Sequence, residues 1–554
     1  MASSINKKHK AKNTTKIEFG RAGEIFASDG FPLAANQEAS LLYALPYEIT
    51  QGPQQIARIL APLLISEKYS TNEAALSDDE KKQKEEEIAQ KEESLESKLK
   101  NKNLFWVQLA KKIPRETKLK IQENKISGLG FEPDSKRFYP EASLAAHLLG
   151  FVGSDKFGSD VGYFGLEGNY DRKLQGKAGR PGRQTDPFGI PILTGKFHPQ
   201  EPKQGSSLYL NIDRAIQFLV EEKLRIAVDK YGAKQGTIIV ADPKNSHILA
   251  MATYPTYHPG LFFEFDENLY KNPAVADTYE PGSTFKLITM SAALDLSLVD
   301  PNTRCDVCNG PRQIGGYEIS TWNKKYYPDS TMTEVIQHSD NIGMTYVSDK
   351  LKVDRFYEYI TKFGFGKPTG IDLQEEASGF VRAKNDWKPI DLATASFGQG
   401  IAVTPIQMIQ AVAAIANGGK LTTPKITNKI DDNGNYKVVK PDYQKQILQA
   451  KTAAQITEMM VNAVEKGEAK AFAPQGYRIA GKTGTAQIPV AGHYDPNKTI
   501  ASFVGFAPAN DPKFVMLVRF TEPTSSPFGS ETAAPTFFGI AKDLFLYFGI
   551  PPAK

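Results

Sequence analysis

The sequence predicts an α+β fold in which helices pack on an antiparallel sheet, and three observations support that class. Residues 236–252 have the pattern of two adjacent strands joined by an Asp-Pro turn. Residues 283–294 follow with the apolar spacing of a helix. A second strand pair lies within 502–519 and is followed by an apolar helical stretch at 537–548. Strand pairs followed by helices indicate an antiparallel sheet with helices on it.

The composition is that of a folded protein with more than one domain. A chain of 554 residues can bury two or three hydrophobic cores, and 40% of its residues are hydrophobic. The formal net charge of +4 is small for this length, so we expect no nucleic-acid partner. No run of eighteen apolar residues occurs, so the sequence predicts no membrane-spanning helix.

The N-terminal part of the chain predicts a basic tail and then a first domain. Five lysines crowd residues 1–19, which we interpret as the tail. From Arg21 onward, a short strand, a turn at Asp29 and Gly30, and a returning strand are predicted. Residues 71–103 are rich in Glu, Lys, Gln and Ser, and predict a solvated helix or linker with too few heptads for a coiled coil.

A domain boundary is predicted where glycine, proline and lysine become frequent, between Gly176 and Gly205. We therefore place the first domain at 20–200 and the second at 205–550. The second domain opens with an amphipathic helical pattern at 215–228, just before the first strand pair.

The strongest candidate for chemistry is Ser283, which lies one helical turn before Lys286. Pro281 and Gly282 interrupt the preceding chain, so Ser283 is predicted to open the helix. Residues i and i+3 share a helix face, which places the Lys286 amine beside the hydroxyl. A neutral lysine amine can serve as the base that a serine nucleophile needs. The helix N-terminus also favours developing negative charge.

The Ser-x-x-Lys spacing alone is a weak signal, because short motifs match by accident. Ser4 with Lys7 and Ser97 with Lys100 also fit it. Both pairs lie in highly charged stretches, where a solvated surface is the simpler interpretation. The prediction for Ser283 therefore depends on other motifs downstream.

The first of these motifs is Ser339-Asp340-Asn341, at the break of a helix–loop–helix pattern over 331–349. Taken alone, it would be interpreted as a helix cap, because Ser, Asp and Asn are the preferred capping residues.

The second motif, Lys482-Thr483-Gly484-Thr485, lies on a predicted strand of small residues at 477–487. Gly484 has no side chain and allows close approach of another backbone, as when an extended peptide adds to a sheet edge. Lys482 and the two threonine hydroxyls suit a terminal carboxylate. A phosphate-binding loop is the alternative, since Gly476, Gly481, Lys482 and Thr483 have the Gly-x-x-x-x-Gly-Lys-Thr spacing. We reject it because Gly481 and Lys482 lie within the predicted strand at 477–487, and not in a loop that opens a helix.

The three motifs occur in the order typical of penicillin-recognising serine enzymes, and the chain resembles the class B penicillin-binding proteins over nearly its whole length. The segment at 396–405 and the residues around Ser283 most resemble the sequences of the division-associated branch of that family. The resemblance implies a penicillin-binding transpeptidase domain preceded by an elongated pedestal domain. It also implies a location on the outer face of the bacterial cytoplasmic membrane, although the family's N-terminal anchor is not encoded in this sequence. A second departure is at 26–30, where the family more often has Asp-Arg-Asn-Gly.

The resemblance implies a peptidoglycan D,D-transpeptidase that forms an acyl-enzyme on Ser283 and is inhibited by β-lactams. Ser339 would relay a proton between Lys286 and the leaving amine, and Asn341 would bind the substrate backbone. Backbone N–H groups of Ser283 and Thr485 would hold the oxyanion. The implied catalytic residues are Ser283, Lys286, Ser339 and Asn341, and the implied substrate-binding residues are Lys482, Thr483, Gly484 and Thr485.

The expected partners are peptidoglycan stem peptides, β-lactams, a membrane glycosyltransferase and division proteins, with no cofactor and no metal. Two other functions compete with this hypothesis. One is a hydrolase of the same superfamily, either a carboxypeptidase or a β-lactamase. The sequence lacks the Glu-x-x-Leu-Asn phrase with which class A β-lactamases activate water. The other is a catalytically silent scaffold, which the three intact motifs argue against.

The two cysteines, Cys305 and Cys308, leave two interpretations open. A structural zinc site would need two more ligands, and no second Cys or His pair has suitable spacing. A local disulfide is compatible with an extracytoplasmic setting. Two free, buried thiols are the preferred interpretation.

Overall fold

The chain divides into two units, each assembled from separated stretches of sequence. Unit 1 comprises residues 1–24, 34–138 and 172–207, and unit 2 comprises residues 25–33, 139–171 and 208–554. The computed structural model describes residues 22–66, 77–177, 203–440, 444–490 and 493–552. The predicted basic tail at 1–19 and most of the predicted boundary at 176–205 lie outside the described residues.

The helices and strands are as follows. The helices are α1 (Pro53–Ile65), α2 (Asp78–Lys100), α3 (Arg115–Glu123), α4 (Ala146–Leu149), α5 (Gly165–Asn169), α6 (Asp171–Leu174), α7 (Arg214–Tyr231), α8 (Pro273–Ala276), α9 (Lys286–Asp295), α10 (Met332–Gln337), α11 (Asn341–Lys362), α12 (Pro389–Ala395), α13 (Pro405–Ala416), α14 (Ala450–Lys466) and α15 (Ala533–Tyr547). The strands are β1 (Ile25–Phe26), β2 (Pro32–Ala44), β3 (Val107–Ile113), β4 (Leu129–Phe138), β5 (Phe151–Ser154), β6 (Asp160–Tyr163), β7 (Ser207–Leu210), β8 (Gln235–Ala241), β9 (Ile248–Tyr254), β10 (Arg312–Ile314), β11 (Tyr317–Ile319), β12 (Lys420–Thr422), β13 (Thr427–Asp432), β14 (Asn435–Val438), β15 (Gln444–Gln446), β16 (Ala480–Val490), β17 (His493–Ala507) and β18 (Phe514–Thr521).

Unit 1 is built on strand β2, which pairs antiparallel with β3 and with β4. The charged stretch predicted as a solvated helix or linker forms helix α2, which begins at the N-cap Ser77 in a capping box with Glu80. Leu95 and Leu99 are its buried side chains, and they belong to the same hydrophobic core as Leu60 of α1. Of the two interpretations, helix or linker, the helix is therefore confirmed over Asp78–Lys100, and a narrow apolar stripe attaches it to its unit.

Unit 2 contains a five-stranded antiparallel sheet in the order β16-β17-β18-β8-β9, which confirms the predicted α+β class. Successive side chains of a strand point to opposite faces. Ile238 and Met516 belong to a core shared with α7 and α15. Their neighbours Ile239 and Leu517 are equally buried, and α13 contacts the same strands. Both faces of the sheet are therefore covered by helices, whereas β16 lies at one edge.

The turn that carries Ser283 lies beside strand β16. Ser283 was predicted to open an α-helix. It lies instead in a 3₁₀ turn over Gly282–Phe285, which leads directly into α9. Gly282 has a φ of 54°, in the left-handed region that favours glycine. Every residue of α9 from Lys286 to Leu294 is buried, so the helix behind Ser283 is enclosed on all sides.

The preference for free thiols is wrong, because Cys305 and Cys308 form a disulfide. A tight turn brings their Cα atoms to 5.5 Å, which is within the range that a disulfide requires. The turn is attached to the chain before α10 by a hydrogen bond from the Cys305 N–H to the Ser330 carbonyl, at 2.8 Å. The spacing of two cysteines three residues apart does not reveal this turn.

The described residues also bear on membrane and metal binding. None of the helices found there is both long and apolar enough to cross a membrane. In the same part of the chain, no group of three or more His, Cys, Asp or Glu side chains is arranged to hold a metal ion.

Gln217 of α7 attaches that helix to the edge strand β9, and replacing it should destabilise unit 2. Its side chain accepts a hydrogen bond from the Met251 N–H at 2.8 Å and donates one to the Met251 carbonyl at 2.9 Å. Gln217→Leu keeps the volume but leaves two buried backbone groups without partners. We expect a loss of about 2 kcal/mol or more in the free energy of unfolding.

Urea unfolding followed by circular dichroism measures this effect. Phe218→Ala is the matched control, because Phe218 is the next residue of the same helix and is 61% exposed. Equal losses in the two variants would contradict a role for the Gln217 hydrogen bonds.

Candidate active site

The predicted site residues meet at a cavity of about 370 Å³ in unit 2. The cavity is lined by Gly282, Ser283, Trp322, Ser339, Asn341, Phe397, Gln399, Glu468, Thr483, Thr485, Gln487, Thr499, Pro527 and Phe528. Lys286 and Lys482 are buried, and hydrogen bonds link them to the lining residues Ser339 and Thr483. Residues more than 200 positions apart in the sequence are thus brought together at one opening.

The turn that carries Ser283 is held by the segment at 396–405. The Gly282 N–H donates to the Gly398 carbonyl at 3.1 Å. Gly398 has a φ of 83°, and a Cβ atom there would lie 2.2 Å from the Gly282 carbonyl oxygen. Thr284 stabilises the turn from within by donating from its hydroxyl to the Pro281 carbonyl at 2.7 Å. Glycine at 398 is therefore required for the position of Ser283.

The Lys286 amine is completely buried and points into the break between α10 and α11. Its Nζ donates to the Ser339 carbonyl at 2.5 Å and to Asn341 Oδ1 at 2.8 Å, and it lies 3.3 Å from Ser339 Oγ. Burial, and after it the positive charge of Lys482, lower the pKa of Lys286 to about 7. A large fraction of this amine is therefore neutral near neutral pH.

The hydrogen-bond partners of Lys286 suit the neutral amine. The Ser339 carbonyl and the Asn341 amide oxygen can only accept hydrogen bonds, so they use the two N–H groups of a neutral amine. The nitrogen lone pair is then left to take a proton from a hydroxyl. Ser283 lies one helical turn earlier on the same face. This arrangement can generate an alkoxide-like serine without any charged base.

The Ser339-Asp340-Asn341 motif acts as a helix cap and also places polar groups around Lys286. Asp340 is the N-cap of α11, and its carboxylate accepts from the Ile342 N–H at 2.7 Å. Ser339 has a φ of 55°, a conformation unusual for a residue with a side chain. The capping interpretation therefore holds for Asp340, whereas Ser339 and Asn341 hold the Lys286 amine.

Lys482 and Thr483 form a hydrogen-bonded chain on strand β16. Lys482 is 3% exposed, and its Nζ donates to Thr483 Oγ1 at 3.0 Å. Burial lowers the pKa of Lys482, and the charge of Glu468 partly opposes that effect. The Thr483 hydroxyl donates in turn to Glu468 Oε2 at 3.0 Å. The chain of donors runs from the buried cation toward the cavity.

Gly484 and Thr485 bring strand β16 against the serine turn. A Cβ atom at Gly484 would lie 2.4 Å from Ser502 Oγ, so the close approach that this glycine allows is to the protein itself. Thr485 Oγ1 accepts a hydrogen bond from the Gly529 N–H at 3.1 Å. The Thr485 carbonyl would lie 2.9 Å from a Cβ at Gly282, which places the strand backbone next to the turn.

Sequence reasoning missed several residues that line the cavity. Glu468 follows the C-terminal end of α14, and Trp322 and Phe528 lie on loops with ring centroids 5.4 Å apart. None of these three positions belongs to a periodic pattern or a motif, so the sequence carries no signal for them. Phe397 and Gln399, by contrast, belong to the phrase at 396–405.

Two family models match the chain. The penicillin binding protein transpeptidase domain matches residues 236–545, and the penicillin-binding protein dimerisation domain matches residues 20–210. Together they cover most of the sequence, in the order dimerisation domain and then transpeptidase domain.

Curated relatives are similar over most of their length. The chain is 34% identical to the stage V sporulation protein D of Bacillus subtilis over 539 residues, which is 96% of this chain and 79% of that protein. It is 30% identical to the peptidoglycan D,D-transpeptidase FtsI of Escherichia coli over 450 residues, covering 81% of this chain and 73% of that protein.

Solved structures share the fold. Penicillin binding protein 2X from Streptococcus thermophilus superposes with a TM-score of 0.75 at 23% identity, covering 96% of this chain and 80% of that chain. Penicillin binding protein 3 from Mycobacterium tuberculosis, complexed with ampicillin, gives a TM-score of 0.72 at 25% identity, covering 97% of each chain.

The environment of Lys286 predicts how reactivity of Ser283 depends on pH. Only the neutral amine can accept the hydroxyl proton, so the rate of acylation of Ser283 by a penicillin should rise as pH increases through about 7. It should fall again at higher pH, because Lys482, whose pKa burial lowers, then loses the positive charge that we expect to attract the carboxylate of the penicillin. Stopped-flow acylation rates at low penicillin concentration measure this profile. A rate that is flat or falling as pH rises through neutrality would exclude Lys286 as the base.

Proposed function

This chain belongs to the class B penicillin-binding proteins, and from that premise we propose that Ser283 is the nucleophile of its transpeptidase reaction. The protein is a serine-type peptidoglycan D,D-transpeptidase, which cross-links stem peptides through an acyl-enzyme and is covalently inhibited by β-lactams. The roles of individual residues are assigned from the geometry of the cavity.

The environment of the Lys286 amine carries this assignment. A fully buried lysine with a pKa of about 7, held by Ser339 and Asn341, is a base suited to neutral pH. It lies one helical turn from a serine that lines the cavity. In a scaffold protein without catalytic activity, a buried lysine amine would bring no benefit, because burying a group that can carry charge reduces the stability of the fold.

In the first half of the reaction, Lys286 takes the proton of Ser283 as Oγ attacks the carbonyl carbon of the penultimate D-alanine. The C–O bond that forms makes a tetrahedral intermediate, whose oxyanion is held by the N–H groups of Ser283 and Thr485. The C–N bond to the terminal D-alanine then breaks. The leaving amine receives the proton from Lys286 through the Ser339 hydroxyl. Ser339 Oγ lies 3.3 Å from Lys286 Nζ.

In the second half, the amine of a neighbouring stem peptide attacks the acyl-enzyme. Its proton passes through Ser339 to Lys286 as the new C–N bond forms. The ester C–O bond then breaks, and Lys286 gives the proton to Ser283 Oγ, which restores the hydroxyl and the neutral amine. Asn341 binds the backbone of the donor peptide, for which its Nδ2 exchanges the hydrogen bond that it donates to the Ser320 carbonyl at 3.1 Å. Lys482 and Thr483 bind the terminal carboxylate of the donor.

We place the dimerisation-type pedestal domain at 20–200 and the transpeptidase domain at 205–550, which the two family matches support. We also infer that the protein acts on the outer face of the bacterial cytoplasmic membrane, with a membrane glycosyltransferase and division proteins. The phrase at 396–405, similar to that of the division-associated branch, supports this setting. Chemical crosslinking in cells followed by mass spectrometry tests it, and crosslinks confined to cytoplasmic proteins would contradict it.

Substitutions at Ser283 and Lys286 test the assigned roles. Ser283→Ala should abolish covalent labelling by a fluorescent penicillin. Lys286→Arg keeps the positive charge but cannot lose a proton near neutral pH, so acylation should slow by about 10²-fold or more. Lys482→Ala should have a smaller effect, because Lys482 binds the carboxylate and does not form the bond.

Labelling rates on gels measure these effects, with folding checked by circular dichroism. Lys451→Arg, at an exposed lysine of α14, is the control for the arginine substitution. Labelling of Ser283→Ala at the stoichiometry of the wild type would mean that another residue is the nucleophile.

The lifetime of the acyl-enzyme separates a transpeptidase from a hydrolase. Fast hydrolysis of a penicilloyl serine needs a base positioned to activate water. The Ser339 carbonyl and the Asn341 amide oxygen, which contact Lys286, accept hydrogen bonds from it and are not bases that could activate water. The Glu-x-x-Leu-Asn motif is also missing from the sequence. We expect Ser283 to remain acylated for many minutes after free penicillin is removed. Intact-mass measurement follows the adduct, and a return to the unmodified mass within seconds would favour the β-lactamase alternative.

A further inference from the structure

The hydroxyl of Thr483 already makes hydrogen bonds with other side chains of the protein. It has one hydrogen, and Glu468 Oε2 accepts it at 3.0 Å. Lys482 Nζ donates to the oxygen of the same hydroxyl at 3.0 Å. Thr483 can therefore donate to the carboxylate of a substrate only if it releases Glu468.

The backbone around Glu468 is closely packed, although its side chain is exposed. The Gly467 N–H donates to the Ala463 carbonyl at 3.1 Å. A Cβ atom at Gly467 would lie 2.3 Å from the Ala463 carbonyl oxygen and 2.9 Å from that of Gln337. Ala469, on the other side, is 1% exposed. The carboxylate is thus directed to the cavity, which it lines together with Ser283.

We propose that Glu468 is a specificity-determining residue, which competes with the carboxylate of the substrate for the Thr483 hydroxyl. This inference depends on the proposed function, since it takes Lys482 and Thr483 to be the carboxylate site. A ligand carboxylate entering that site meets a second negative charge across a single shared hydroxyl. Two like charges repel at this range, and one hydrogen cannot satisfy both.

The competition affects ligands according to their charge. A donor peptide or a β-lactam with a free carboxylate binds more weakly than the Lys482–Thr483 pair alone would allow. A ligand with the same shape and an uncharged ester in that position meets no repulsion. After acylation, the Thr483 hydroxyl donates to Glu468 again, which favours departure of the terminal D-alanine and clears the cavity for the acceptor amine.

Two probes that differ only in charge test this inference. The second-order rate constants for acylation of the full chain are measured with benzylpenicillin and with its methyl ester, in the wild type, Glu468→Gln and Glu468→Ala. Both variants remove the charge, and only glutamine keeps an oxygen that can accept from Thr483. Glu465→Gln is the matched control, because Glu465 is an exposed glutamate three residues earlier, on α14.

We expect both Glu468 variants to react about five- to tenfold faster with benzylpenicillin, the effect of removing one partly screened like charge. The methyl ester should change by no more than about twofold, since it carries no charge to repel. Equal changes with the two probes, or no change with either, would overturn the inference and leave the acylation of Ser283 intact. If the wild type forms no adduct on Ser283 with either probe, the proposed function is overturned together with this inference.

Discussion

The candidate active site depends on the burial of one amine. Lys286 lies in the protein interior, and among the described residues its amine donates hydrogen bonds to the Ser339 carbonyl and the Asn341 amide oxygen and to no carboxylate. Burial in low-dielectric surroundings removes much of the preference for the ammonium form. Helix α9, which carries the lysine, is accordingly enclosed along its length. The break between α10 and α11 contacts that amine. Gly398 and strand β16 contact the turn that carries Ser283.

Much of the fold could be predicted from local patterns. The hairpin of β8 and β9 and the helices α7 and α15 follow from apolar periodicity and turn residues, which depend on neighbours in sequence. The eight candidate site residues could be proposed from the sequence because their motifs each lie on one turn or one strand. The order of those motifs, and not any single one, made the prediction specific.

What could not be predicted depends on contacts between distant parts of the chain. Glu468 lines the cavity because Gly467 packs against the Gln337 carbonyl of α10, and no spacing in the sequence shows that contact. Trp322 and Phe528 meet across about 200 residues for the same reason. The disulfide was missed because the turn that brings Cys305 to Cys308 is defined by a hydrogen bond to Ser330. Gly484 was expected to leave room for a substrate backbone, and it leaves room for Ser502.

Unit 2 is discontinuous, and that has a consequence for biosynthesis. Strand β1 is made within the first 30 residues, and its parallel partner β7 lies at Ser207–Leu210. The stretch at 139–171 belongs to the same unit as 208–554. A ribosome adding residues at about 5–20 per second would expose the early segments for at least several seconds before their partners emerge. A fragment beginning at residue 208 would lack both early segments, so the catalytic unit is better obtained from a chain that includes them.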